Sequence, residues 1–256
     1  MNRIIIFFLL VIIGCSGKNV NEKAETKVQI KPPLISLNSC PDFNSLNIKI
    51  RDGNITQDSA LVEIQKLMPS FKTYYYAHGG KDFSPSDWIF PVQGCSANAI
   101  GGKNGNGYIE SGYNYFDGNK HRGHPAQDIF IYDSNQDCLD DRNKRYVNVL
   151  SMTGGIVISL EKRWDSLCKL RGGKYIWVYD LSSNNLFYYA HNSKVIVNLG
   201  DIVKPGDTIA TIGRSGLNAF KARSPTHLHL MQLKLDSNYY PKPVNCYQSL
   251  SKIMVK

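Results

Sequence analysis

The chain lacks a Cys-x-x-Cys pair, which excludes a cysteine-built zinc ribbon and a thioredoxin-like redox motif. It also lacks a Gly-x-Ser-x-Gly elbow and a phosphate-binding P-loop, so the serine-hydrolase and nucleotide-binding signatures are missing. Beyond the first residues there is no second long apolar run, and with it goes any further helical membrane span. No internal repeat and no coiled-coil heptad is present, so solenoid and rod architectures drop out. With 256 residues, the chain suffices for one good-sized domain and some additional segments.

The first residues are not part of a fold. Arg3 supplies a positive start, Ile4 to Ile13 is unbroken apolar sequence, and Gly14-Cys15 closes it. A run of roughly 10 apolar residues is too short to span a bilayer and suits the core of a secretory signal. Ile12-Ile13-Gly14-Cys15 resembles the bacterial lipobox, with Ile12 where Leu is more usual. The resemblance implies a signal peptide over residues 1–14 and an acylated Cys15. It further implies an exported protein, lipid-anchored in the bacterial cell envelope at the outer membrane and facing the periplasm. Residues 15–45 are rich in Lys, Asn, Glu, Thr and Gln and contain Pro32-Pro33, a composition that buries little apolar surface and reads as a tether. The formal net charge is +9, which favours anionic partners such as cell-wall polymer or lipid head groups. The lysines are scattered, however, and export argues against nucleic acid. Five cysteines follow Cys15, an odd number whose pairing the sequence does not define.

Residues 46–87 are expected to be a helical N-terminal segment. Its helix is capped by Asp58 or Ser59, carries the apolar stripe Leu61, Ile64, Leu67 and Met68, and ends at Pro69. From Trp88 to the C-terminus, aromatic and β-branched runs between Gly, Asn and Asp turns predict strands. They fall at 128–132, 155–160, 175–179, 186–191, 194–197, 208–212 and 227–235, with a hairpin turn at Asn184-Asn185. The fold class is therefore mainly β: an antiparallel sandwich or barrel-like domain over residues 88–256, preceded by a short helical segment.

Four of the six histidines stand in three short motifs. In Thr226-His227-Leu228-His229, strand alternation puts His227 and His229 on one face with Met231, Leu233 and Leu235, opposite Leu228 and Leu230. Two imidazoles on an apolar face are costly without partners. Asp is absent at position 231, which disfavours a metallo-β-lactamase-like site, and Leu233-Lys234 lacks the Glu a cupin needs. In Gly123-His124-Pro125-Ala126-Gln127-Asp128, Pro125 disfavours a helix at His124 and places it on a loop entering a strand at Asp128. Two imidazoles and a carboxylate, His124, His229 and Asp128, suit Zn²⁺ and leave a fourth position open, as in catalytic sites. His191 ends a strand whose face carries Phe187 and Tyr189. Asp133 to Asp137 begins like a calcium-binding loop, but Cys138 and Lys144 occupy its Gly and Glu positions, so a solvated acidic loop is the better reading. His78 and His121 fit no role and are read as surface residues.

These motifs form an ordered series with Gly200 to Gly206 and Gly213-Arg214-Ser215-Gly216. The series resembles the lysostaphin-type (LytM-like) zinc metallopeptidases, over roughly residues 88 to 236. That resemblance implies peptidoglycan as substrate, Zn²⁺ held by His124, Asp128 and His229, and His191 and His227 as the two catalytic histidines outside the metal shell. The sequence departs from the pattern at Ala126, where Gly is frequent, and in the long connection Leu217–Thr226, so altered loops and substrate fit are expected. The competing expectation is a non-catalytic relative that binds or activates another wall hydrolase. No protein partner can be inferred.

Overall fold

Phe43, Leu46 and Ile50 recur at three- and four-residue spacing, and all three are buried along one stripe of helix α1 (Ser39–Asp52). The computed structural model describes residues 39–253. The signal peptide and Cys15 lie outside the described residues. Helix α1 begins inside the stretch expected to be a tether as far as residue 45, because its apolar stripe has a sheet to bury against. Asn44 and Asn47 fasten it there: Asn44 Oδ1 accepts from Ser159 Oγ at 2.7 Å and from the Leu160 amide at 3.0 Å, and Asn47 Nδ2 donates to Ser159 Oγ at 2.9 Å.

Helix α2 (Gln57–Ala77) is capped by Thr56, whose hydroxyl accepts from the Ser59 amide at 3.4 Å, rather than by Asp58 or Ser59. It also runs through Pro69 instead of ending there. Proline removes one amide donor, but Met68, Phe71 and Tyr75 are almost fully buried around it, and their burial outweighs one lost backbone bond.

The strands are β1 (Ala126–Phe130), β2 (Asn148–Leu150), β3 (Gly155–Glu161), β4 (Lys174–Asp180), β5 (Asn185–Asn192), β6 (Lys194–Val195), β7 (Ile202–Val203), β8 (Thr208–Thr211), β9 (His227–Leu235) and β10 (Pro241–Val244). The seven-stranded sheet has the order β1-β9-β5-β4-β3-β7, and β10 also pairs with β9. A second sheet has the order β2-β8-β6. Every strand pairing is antiparallel. Strands β2, β7 and β10 were not expected, being two to four residues long and, in β10, carrying Pro241 and Pro243. Strand β1 starts at Ala126, directly after Pro125, so Asp128 sits in mid-strand rather than at its head.

Alternation along β9 divides the interior into two layers. Leu228 and Leu230 join Ile129, Val178, Phe187 and Tyr189 against Val149, Ile209 and Ala210 of the small sheet, which makes the expected sandwich. Met231, Leu233 and Leu235 face the other way, with Ile156, Ile158 and Trp177, under α1 and α2. The helices are thus a third layer of the same unit, and His227 and His229 lie on the helix-covered face, where that layer stops short and a cavity opens.

Candidate metal centre and its cavity

Strand register makes the first pair of the site. Asp128 of β1 stands directly opposite His229 of β9, and Ala190 of β5 flanks His229 on the other side. Asp128 Oδ1 lies 3.0 Å from His229 Nδ1 and 3.2 Å from His124 Nε2. One ligand atom from each of His124, Asp128 and His229 lies within 4.8 Å of the other two, the spacing of a metal site. His124 is delivered by a bridge to Ile109 and is turned by its Nδ1–H, which donates to the Gly107 carbonyl at 2.9 Å.

The protonation demands of this cluster test whether a cation fits. Both nitrogens of His124 face acceptors, Gly107 O and Asp128 Oδ1, and only an imidazolium satisfies both. Burial pushes His124 down, but the hydrogen bond and charge of Asp128 outweigh it and raise the imidazole above its ordinary value. Burial likewise pushes Asp128 up, yet hydrogen bonds from His124 and His229 hold it well below the usual carboxylate range. Burial dominates at His229, which is lowered. A carboxylate flanked by two imidazoles therefore calls for a positive charge, which a proton or a divalent ion can supply. The donor set, two imidazoles and one carboxylate, is one that zinc accepts.

His191 and His227 stand beside these residues. Their rings are 4.9 Å apart, and His191 is 5.4 Å from His229. His227 Nε2 lies 3.8 Å from Asp128 Oδ1. Each donates its Nδ1–H to a main-chain carbonyl, His191 to Ser215 at 2.8 Å and His227 to Pro225 at 2.7 Å. A carbonyl only accepts, so the Nε2 lone pair of each neutral ring is left free to take a proton. Burial, reinforced by His227 and His229, holds His191 well below its ordinary value and therefore neutral near pH 7.

His191 corrects one expectation. Strict alternation would place it with Phe187 and Tyr189 in the sandwich interior. Its backbone instead has φ of 69°, a left-handed value, where the β4–β5 register shifts. That irregularity turns the ring onto the face of Tyr188, His227 and His229. The Gly213-Arg214-Ser215-Gly216 motif serves this turn. Besides the Ser215 carbonyl, Ser215 Oγ donates to Asn192 O at 2.7 Å. Gly216, at φ of 112°, passes so close that a Cβ would lie 2.3 Å from Arg171 O and 2.9 Å from His191 Nδ1.

The longer connection Leu217–Thr226 forms part of the cavity rim through Asn218, Ala219 and Ser224. Arg214 clasps it by donating to the carbonyls of Lys221 at 3.0 Å, Phe220 at 3.3 Å and Ser224. At its end, Thr226 donates to Asp133 Oδ2 at 2.6 Å, so one carboxylate of the acidic loop is used to hold the start of β9.

The cavity also holds residues that sequence reasoning missed. His121 is half-buried at its wall and packs edge-on against Tyr113 at 4.9 Å, so it is not a plain surface residue. Tyr113, Tyr188 and Arg171 line it as well. They come from separate loops and strands, and no spacing pattern joins them. His78 is exposed and stacks on Tyr74 at 3.9 Å, outside the cavity. Cys40, Cys95, Cys138, Cys168 and Cys246 are all free thiols. No helix among the described residues is long and apolar enough to cross a membrane.

Residues 135–241 match the family model described as Peptidase family M23. The matched stretch contains His191, His227 and His229, while His124 and Asp128 precede it. The chain is similar to the catalytic domain of the antimicrobial peptidase lysostaphin from Staphylococcus simulans, at 22% identity and a TM-score of 0.36, over 57% of this chain and 90% of that one. It is similar to a putative glycyl-glycine endopeptidase lytM from Ruminococcus gnavus, at 22% identity and a TM-score of 0.44, over 82% and 89%. It is similar also to a zinc containing peptidase from Vibrio cholerae, at 19% identity and a TM-score of 0.38, over 66% of this chain and 41% of that one.

Proposed function

We propose that the protein is a zinc metalloendopeptidase that hydrolyses peptide cross-links of bacterial peptidoglycan. The observation that carries this reading is the convergence of His124, Asp128 and His229 in one cavity with two further imidazoles whose Nε2 lone pairs are free. Zn²⁺ bound by the first three would polarise the scissile carbonyl and acidify a water molecule. His191 and His227 take up a proton from the attacking water and return one to the departing amine. His191 suits this role because its burial keeps it neutral, and the Ser215 carbonyl fixes which nitrogen carries the hydrogen. Asp128 balances the charge at the centre, and its own position is set by cross-strand pairing with His229.

The same reading places the protein in the cell envelope, anchored through a lipid on Cys15, where it would remodel the wall of its own cell. Labelled palmitate should enter the full-length protein and not a Cys15→Ser variant.

The decisive experiment uses the protein lacking residues 1–15. Bound zinc is quantified by atomic emission, and purified sacculi are incubated with this protein and with a His229→Ala variant. About one zinc per chain and release of soluble peptides by the unaltered protein alone are expected. Metal-free protein, or equal release by both forms, would sink the enzyme reading and leave a non-catalytic wall-binding role.

A further inference from the structure

Two arginines line the cavity, and their surroundings differ. Arg51 of α1 is spoken for: its guanidinium pairs with Asp52 at 2.8 Å and with Glu161 at 3.4 Å. Arg171 has no carboxylate partner among the described residues. Its Nη1 donates at 2.6 Å to the main-chain carbonyl of His121, a neutral acceptor that uses one of its five N–H groups. That bond spans the cavity wall between the segment before His124 and the segment after Leu170.

The backbone of this segment is fixed from three sides. Leu170 O accepts from Leu217 N at 3.0 Å, Gly172 O accepts from His191 N at 3.0 Å, and Arg171 O lies against Gly216. Arg171 is therefore held one residue from the backbone partner of His191. Its side chain lines the cavity together with His124 and Tyr188. The only acidic residue lining the cavity among the described residues is Asp128, and it is engaged by His124 and His229. A rigidly seated cation with open donors, in a cavity whose one carboxylate is taken, leaves room for an anion from outside. The guanidinium fork matches a carboxylate.

We infer that Arg171 is a specificity-determining residue that binds a free carboxylate of the substrate peptide close to the scissile bond. This rests on the peptidase reading above. It narrows the substrate class to acidic cross-linked peptides with an unamidated carboxylate near the cut.

The test compares two forms of one probe: cross-linked disaccharide peptides released from sacculi, and the same material with its carboxylates converted to amides by carbodiimide and ammonia. Binding to the zinc-loaded protein is read by calorimetry, and cleavage is followed separately by chromatography. The unaltered protein is expected to bind the carboxylate form roughly 10- to 100-fold more tightly, the range of a charge-assisted hydrogen bond. Arg171→Gln should bind both forms alike, at the affinity the unaltered protein shows for the amide, while Arg171→Lys retains part of the preference. Equal binding of the two forms by the unaltered protein overturns the inference without reference to any variant. So does an undiminished preference in a folded Arg171→Gln. If carboxylate preference is seen but neither probe is cleaved, Arg171 stands as an anion site and the peptidase reading falls.

Discussion

The Nδ1–H of His191 donates to the carbonyl of Ser215 across 2.8 Å, and this bond fixes the orientation of a ring whose own backbone is left-handed. Ser215 can approach only because the next residue has no side chain. Gly216→Ala would place a methyl group 2.3 Å from Arg171 O and force φ of 112° on an L-residue. Such a conformation costs on the order of 1–3 kcal/mol. A displaced His191 should reduce kcat/KM by about 100-fold. The check is steady-state hydrolysis beside a thermal melt, and an active, equally stable Gly216→Ala would contradict this account of the motif.

Metal removal should reveal the charge demand of Asp128. Chelation is expected to lower the melting temperature, and zinc at about 100 times its dissociation constant should restore roughly 2.7 kcal/mol. Because His124 is raised by Asp128, binding at pH 6.5 should release a proton. Calorimetry in buffers of different ionisation enthalpy measures that release, and His124→Ala should diminish it.

Acid should weaken the metal-free fold through His191. Its folded value lies well below the ordinary 6.5, so between the two the unfolded chain binds the proton more readily. The corresponding stability is present above about pH 6.5 and is lost as the pH falls through the lowered folded value. His229 acts in the same direction, and His124, raised, acts in the opposite one. Denaturant titrations of metal-free protein from pH 7.5 to 5 should show falling stability, with a shallower fall in His191→Asn, which isolates the one contribution.

Helix α1 should behave as core rather than as leader. Phe43 is 2% exposed and packs edge-on against Phe71 at 5.7 Å. Phe43→Ala should destabilise the whole unit by about 3–5 kcal/mol. A single unfolding transition shifted in Phe43→Ala is expected. An unchanged transition would show α1 to be dispensable.

The residues of the candidate site could be named from the sequence, because the motifs are local. Pro125 removed His124 from a helix, and the period-2 alternation of β9 put His227 with His229 whatever the neighbouring strands did. The strand-rich class followed from turn spacing in the same way. The reading failed where burial by distant partners outvoted local signals. Pro69 reads as a helix end, yet Met68, Phe71 and Tyr75 carry α2 past it. Residues 39–45 read as tether, yet Phe43 and its stripe found β3 to cover.

By itself the sequence determined which side chains are chemically equipped for a metal and for proton transfer, since residue type and short spacing are local properties. Only the tertiary structure decided how they meet. The β1–β9 register set Asp128 against His229, and a left-handed backbone at His191 reversed the face that alternation assigns. Arg171, His121 and Tyr113 joined the cavity from segments far apart in the chain, because long-range pairing and packing bring together residues that no periodicity links.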